Sequence, residues 1–268
     1  LAGCTGSGLA AAAGWPRFES VPGGVAVVNI PSEEKPVGYF NNMRVMTIGS
    51  RGQWQAVIGL PLTTQPGRHT LQVRVGPDQH EFDFNVAAKH YQESRITLAD
   101  ERMVNPLPMD LERIDRETRL MQAAKATWSE VAAPPLAMSQ PVAGEYSSPY
   151  GLRRFFNNQA RNPHSGLDIA APEGTPVLSA APGRVVSTGA YFFNGNTVFI
   201  DHGQGLLTMY CHLQRIAVTP DQKIEAGTII GNVGRTGRVT AAHLHWSVIL
   251  NQTMVDPQLF LAGGTERP

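Results

Sequence analysis

Ala242-His-Leu-His-Trp-Ser-Val-Ile-Leu250 is the stretch from which the fold is read. Its β-branched and aromatic residues mark it as a strand, and successive side chains of a strand leave on opposite faces. His243 and His245 therefore share one face, and Leu244 and Trp246 the other. A second segment of the same kind, Leu206-Leu-Thr-Met-Tyr-Cys-His-Leu213, alternates so that Thr208, Tyr210 and His212 are expected on one face. Leu207, Met209 and Cys211 are then expected on the other. With Gly183-Arg-Val-Val186, Thr197-Val-Phe-Ile200 and the turn-and-strand Ile224-Glu-Ala-Gly-Thr-Ile-Ile-Gly231, the C-terminal half reads as an antiparallel sheet.

The N-terminal half has the same grain. Val25-Ala-Val-Val-Asn-Ile30 ends at Pro31, Arg44-Val-Met-Thr-Ile48 ends at Gly49, and Gln55-Ala-Val-Ile58 follows. Thr70-Leu-Gln-Val-Arg-Val75 and Glu81-Phe-Asp-Phe-Asn-Val86 form a hairpin through Gly76-Pro-Asp78. Short strands at this spacing predict an immunoglobulin-like β-sandwich. After a polar stretch ending at Pro108, a helix is expected over 109–130, with Leu111, Ile114, Met121, Ala124 and Trp128 as its apolar stripe. Glu112/Arg116, Arg113/Glu117 and Asp115/Arg119 are opposite charges at i, i+4, expected on its wetter sides. Ala132-Ala-Pro-Pro135 stops it.

The expected fold class is mainly β: a sandwich over 15–100, a linker over 101–137 carrying the helix, and an antiparallel sheet domain over 138–268. A chain of 268 residues is long enough for two domains with separate cores. Twenty-seven glycines and twenty prolines fit a turn-rich protein. Formal charge balances at zero, so nothing recommends a nucleic-acid partner. No apolar run reaches the ~20 residues that span a bilayer.

The chemistry is concentrated in a few side chains. His164 follows Asn162-Pro163 and precedes Ser165-Gly166, a loop running into the short strand Leu167-Asp-Ile-Ala170. Such a loop can bring His164 and Asp168 onto one ion together with imidazoles of the His243 and His212 strands. Catalytic zinc takes three protein ligands from His, Asp or Glu and keeps a fourth position for water. With two distant cysteines, Cys4 and Cys211, a cysteine-rich structural site is excluded. Three ligands leave two imidazoles over, and an imidazole with an ordinary pKa of ~6.5 can take and return a proton near neutrality. The residues alone do not choose among His164, Asp168, His212, His243 and His245, and neutral imidazoles also suit other first-row ions. His69, His80, His90 and His202 are read as structural, and Cys211 as a buried inert thiol facing away from His212.

His164-x-x-x-Asp168, Tyr210-x-His212-Leu213 and His243-Leu-His245, in this order, resemble the lysostaphin-type (LytM-type) zinc endopeptidases of bacterial cell walls. The likeness runs over about 144–261 and includes Ser148-Pro-Tyr-Gly-Leu-Arg-Arg154 and Ala171-Pro-Glu-Gly-Thr-Pro176. It implies one Zn2+ per chain, held by His164, Asp168 and His245. His212 and His243 would be the catalytic pair that handles the attacking water and the oxyanion. The substrate implied is a peptide bond in peptidoglycan cross-links or stem peptides, cut by a monomer in the periplasm or cell envelope. Thr240-Ala-Ala242 departs from the Gly-Pro approach common before the His-x-His strand. A non-catalytic regulator of wall hydrolases on the same fold is the alternative, disfavoured by the intact set of ligands. A biotinyl-type carrier would need Lys223 at a hairpin tip. The loop Tyr191-Phe-Phe-Asn-Gly-Asn196 is expected to wall the substrate groove, and the N-terminal domain to position the catalytic one or meet a partner protein.

Residues 1–14 read as a tail or the remnant of a signal peptide. Leu1-Ala-Gly-Cys4 resembles a bacterial lipobox, which would anchor the chain to a membrane through a lipid on Cys4, and Leu9-Ala-Ala-Ala-Ala13 resembles the end of a secretory signal.

Overall fold

A computed structural model describes residues 17–262, and the expectations for Cys4 and the N-terminal tail lie outside the described residues. The protein is mainly β, as its alternating patterns predict. Its first part holds β1 (Val25–Ile30), β2 (Val37–Phe40), β3 (Met43–Ser50), β4 (Gln53–Gly59), β5 (Gly67–Val75) and β6 (Asp78–Val86), bonded in the order β1-β4-β3-β2-β5-β6. β3 changes partner midway: residues 43–45 pair with β2 and residues 46–50 with β4. The strands thus make two layers that share β3 and close over Val28, Ile30, Val45, Ile58, Leu71 and Val86. The β5–β6 hairpin turns at Gly76, whose φ of 53° suits a residue without a Cβ.

The first part has a core of its own, and its other face adds a contact that the sequence does not announce. Val25, Met46, Ile48 and Val57 point away from the first cluster and enter the same apolar cluster as Leu206, Tyr210, Trp246 and Leu250 of the C-terminal sheet. Both faces of β1, β3 and β4 are therefore covered. Polar clamps accompany the contact: Asn251 Oδ1 accepts from Gly59 N (2.6 Å), its Nδ2 donates to Gly59 O (3.0 Å), and Gln204 Oε1 accepts from Thr47 N (3.0 Å). An amide side chain is suited to this, since it offers an acceptor to the N–H and a donor to the C=O of one residue.

Beyond β7 (Glu93–Ile96) and α1 (Pro108–Lys125) the chain forms β8 (Glu145–Ser148), β9 (Arg153–Phe156), β10 (Gln159–Ala160), β11 (Leu167–Ala170), β12 (Pro176–Leu178) and β13 (Gly183–Tyr191). It continues through β14 (Gly195–Gly203), β15 (Leu206–Ile216), β16 (Lys223–Ile224), β17 (Ile229–Val233), β18 (His243–Leu250) and β19 (Thr253–Val255). The main sheet has the order β16-β13-β14-β15-β18-β11-β8. Lys223 lies in β16 opposite Arg184, not at a hairpin tip, which removes the carrier reading. β7, from the stretch expected to be a polar connection, pairs in parallel with β9 and so ties residues 93–96 to the approach of His164.

The helix ends at Lys125 rather than near 130, with Ala126 N bonded to Gln122 O (3.0 Å). Tertiary contacts take over the next residues: Arg44 stacks 4.1 Å from the Trp128 ring centroid, and Gln204 N donates to Ser129 O (2.8 Å). Its buried side also differs from the expected stripe. Leu111 is 54% exposed, whereas Glu117 is buried, accepting from Phe192 N (2.7 Å) and Arg113 Nε (2.6 Å). A carboxylate with two charge-assisted or backbone partners can replace an apolar residue there.

Candidate active site and metal centre

β11 and β18 are antiparallel neighbours in the register Asp168↔His245 and Ala170↔His243. Directly opposite residues project to the same face, so the carboxylate and the imidazole meet by construction. Asp168 Oδ1 lies 2.7 Å from His245 Nδ1. His164 arrives from the preceding loop, whose backbone is pinned by His164 N to Leu152 O and Gly151 N to His164 O, both 2.8 Å. Its Nε2 stands 2.9 Å from Asp168 Oδ1 and 3.0 Å from His245 Nδ1. Gly166 lets the loop cross this close, because a Cβ there would meet Trp246 O at 2.5 Å and His245 Nε2 at 2.7 Å.

The outward atoms of the three residues are all engaged. His164 Nδ1 donates to Pro149 O (2.7 Å), Asp168 Oδ2 accepts from Arg154 Nη2 (3.0 Å), and His245 Nε2 contacts Ser247 Oγ (3.1 Å). Partners of this kind fix the tautomer and direction of metal-ligating side chains. With its proton on Nδ1, His164 turns a lone pair towards Asp168 Oδ1, an arrangement of acceptors that calls for a cation. Burial lowers the His245 pKa to about 4, which keeps that imidazole neutral. Burial works to raise the Asp168 carboxyl, but its close contacts with the two imidazole rings overcome it and hold it well below the usual carboxylate range. Two imidazoles and one carboxylate, buried and mutually within reach, fit a divalent metal ion.

His212 joins them by a route that alternation misses. Cys211 is the cross-strand partner of His245, and it clusters with Leu207, Met209 and Ile249 on the face that carries His243 and His245. Regular alternation would send His212 to the other face, with Tyr210 and Trp246. Instead the β14–β15 register shifts beside it and His212 takes φ 63°, which swings its ring to 5.0 Å from His243 and 5.9 Å from His245. Bulges re-aim side chains in this way. Asn194 O accepts from His212 N (2.9 Å) and Thr236 O accepts from its Nδ1 (2.9 Å), so Nε2 is left open. Burial, with His245 and His243 nearby, pushes its pKa down to about 3. Cys211 is buried as expected, though not by facing away from the histidines, and burial pushes its thiol up to about 12.

His243 donates Nδ1 to Ala241 O (2.9 Å) and brings Nε2 to 3.7 Å from Asp168 Oδ1. All five residues picked from the sequence are thus gathered at one place. His202, in contrast, is buried away from them between Pro182 O (2.7 Å) and Thr208 Oγ1 (2.8 Å), in keeping with a structural role.

A cleft of about 340 Å³ opens beside the cluster, lined by Asp168, His212, His243 and His245 together with Ile96, Leu98 and the 238–242 loop. The aromatic loop is not its wall. Tyr191 and Phe192 are buried, Tyr191 within the cluster that holds Ala124 of α1, and only Phe193 reaches towards the cleft through Arg238. Sequence reasoning did not find Arg154, whose only signal was its place in the stretch before His164, nor Arg238.

The family model described as Peptidase family M23 matches residues 162–257, and the one described as Peptidase family M23 N-terminal domain matches residues 18–89. A crystal structure from Pseudomonas aeruginosa assigned to peptidase M23 is 41% identical, covers 92% of this chain and 96% of its own, and superposes with a TM-score of 0.78. Peptidoglycan DD-endopeptidase ShyA of Vibrio cholerae is 47% identical over 88 residues, which are 33% of this chain and 20% of that protein. DD-carboxypeptidase/endopeptidase Mpg of Neisseria meningitidis is 39% identical over 111 residues, 41% of this chain and 26% of that protein. The chain therefore spans about a quarter or less of these two curated relatives.

Proposed function

Since the chain belongs to peptidase family M23, we propose that it is a zinc-dependent endopeptidase hydrolysing peptide bonds in peptidoglycan cross-links or stem peptides. The observation that carries this reading is the convergence of His164 Nε2, Asp168 Oδ1 and His245 Nδ1 at the edge of an open cleft. These three would hold the ion. When bound, zinc supplies Lewis-acid chemistry, acidifying water and polarising a carbonyl.

The remaining imidazoles do the proton work. His212 keeps Nδ1–H on Thr236 O and presents Nε2 as an acceptor, the form a general base requires. His243, whose Nδ1 donates to Ala241 O, would donate from Nε2 to negative charge developing on the substrate oxygen when its ring is the imidazolium, which carries a proton on each nitrogen. Ile96 and Leu98 give the cleft an apolar wall for a peptide. Residues 15–100 are assigned a positioning role, and the peptidoglycan substrate places the protein in the bacterial periplasm or cell envelope, working as a monomer. No helix among the described residues is long and apolar enough to cross a membrane.

Metal analysis of protein purified without added ions, combined with digestion of purified sacculi, tests this. One zinc per chain and release of cross-linked muropeptides, lost on chelation and restored by zinc, is the expected result. Stoichiometric metal with intact sacculi would instead favour a regulator on the same fold.

A further inference from the structure

Arg154 and Arg238 line the cleft, and only one of the two has a carboxylate partner among the described residues. Arg154 is paired with Asp168 Oδ2 (3.0 Å), and that carboxylate is committed to the metal cluster. Among the described residues Arg161, nearby, donates to neutral groups, including Val104 O (2.9 Å) and Asn105 Oδ1 (3.1 Å). Arg238 has no ion pair with a described carboxylate. Its one side-chain hydrogen bond to a described residue is a long contact to Met103 O (3.4 Å).

Arg238 is nevertheless held firmly. Its guanidinium lies 4.4 Å from the Phe193 ring centroid and 4.7 Å from that of Phe156. Its backbone N donates to Phe193 O (2.8 Å), and Gly237 before it has φ 75°, where a Cβ would meet Gly195 N at 2.4 Å. The side chain is partly buried and lines the same cleft as His212, His243 and His245. Two aromatic rings orient a guanidinium and satisfy its faces, but apart from the long contact to Met103 O they leave its N–H fork without acceptors among the described residues. A fixed planar fork with open donors, in a partly desolvated cleft, matches a carboxylate.

We infer that Arg238 is a specificity-determining residue that receives a carboxylate of the peptide substrate in the cleft beside the metal residues. The inference rests on the endopeptidase reading for the identity of the ligand, though not on turnover. The substrate class is therefore an acidic peptide, and Arg238 acts by binding it, not by handling protons.

The experiment compares a cross-linked peptidoglycan dimer peptide with the same dimer whose free carboxyl groups have been amidated. Binding is read by calorimetry on the full chain, loaded with zinc and carrying His212→Asn so that nothing is consumed. The acid form is expected to bind about tenfold tighter than the amidated one. That ratio falls to about one when Arg238→Gln is added and is partly kept by Arg238→Lys. With otherwise unsubstituted protein, Arg238→Gln raises KM for the acid form and leaves kcat and the amidated substrate nearly unchanged. Equal binding of the two dimers, or a ratio that survives Arg238→Gln, overturns the inference. A preserved ratio that vanishes with Arg238→Gln, found in protein whose unsubstituted form does not cut sacculi, upholds the carboxylate site while removing the endopeptidase reading. Loss of binding to both forms in Arg238→Gln and Arg238→Lys alike marks a structural role and also overturns it.

Discussion

The ring of His212 lies 5.0 Å from that of His243, although regular alternation along β15 would place the two on opposite faces of the sheet. A left-handed backbone at one residue closes the site. Asn tolerates that conformation better than most residues, so His212→Asn keeps the fold while removing the open Nε2. Hydrolysis of sacculi should fall by about 10²–10⁴-fold with zinc content unchanged, as measured by muropeptide release and metal analysis. A parallel loss of zinc would place His212 among the ligands instead.

Gly166 carries the loop of His164 over His245 with no room for a Cβ. Gly166→Ala should cost about 1–3 kcal/mol of stability through overpacking against Trp246 O and Ser247 Oγ. Since the displaced atoms include His245 Nε2, zinc affinity should drop as well. Thermal unfolding with and without chelator separates the two effects.

Asn251 satisfies both polar groups of Gly59 at the boundary of the two halves. Asn251→Ala leaves a buried N–H and C=O unpaired, a loss of about 2 kcal/mol or more. Calorimetry should show one transition for the parent and a lower melting temperature for the variant. Two well-separated transitions in the parent would contradict the shared core.

Burial lowers the His202 pKa to about 4, from an ordinary 6.5. Above pH 6.5 the residue is neutral in folded and unfolded chains alike, and its contribution to stability is complete. As pH falls from about 6.5 to 4 the unfolded chain takes up the proton first, so stability declines through that window and levels off below it. The shift corresponds to at most about 3 kcal/mol. His202→Gln should remove this part of the acid sensitivity, seen as a flatter difference between the two denaturation curves over that range.

Much of the site was legible because β-strand period and loop signals bear directly on it. His243 and His245 share a face as their spacing requires, and Asp168 meets His245 through simple register. His212 does reach the other histidines, but not from the face that alternation gives it, since a one-residue bulge leaves no mark in a pattern of alternating side chains. The end of α1 was misplaced for a related reason: Trp128 looks helical by its stripe position, while its stacking on Arg44 is a contact from eighty-odd residues away. Glu117 and Arg238 escaped because charged residues in a sequence read as wet until a partner, or the lack of one, is visible in space.

Val57 and Trp246 belong to one apolar cluster, and the residues flanking Trp246 are Ser247 and His245. A lineage that enlarged or trimmed the β4 side of that cluster would disturb the strand that carries His243 and His245 unless a compensating change arose across the boundary. The segments 18–89 and 162–257 are thus bound to evolve together, and grafting either onto a foreign homologue demands that its opposite surface be carried along.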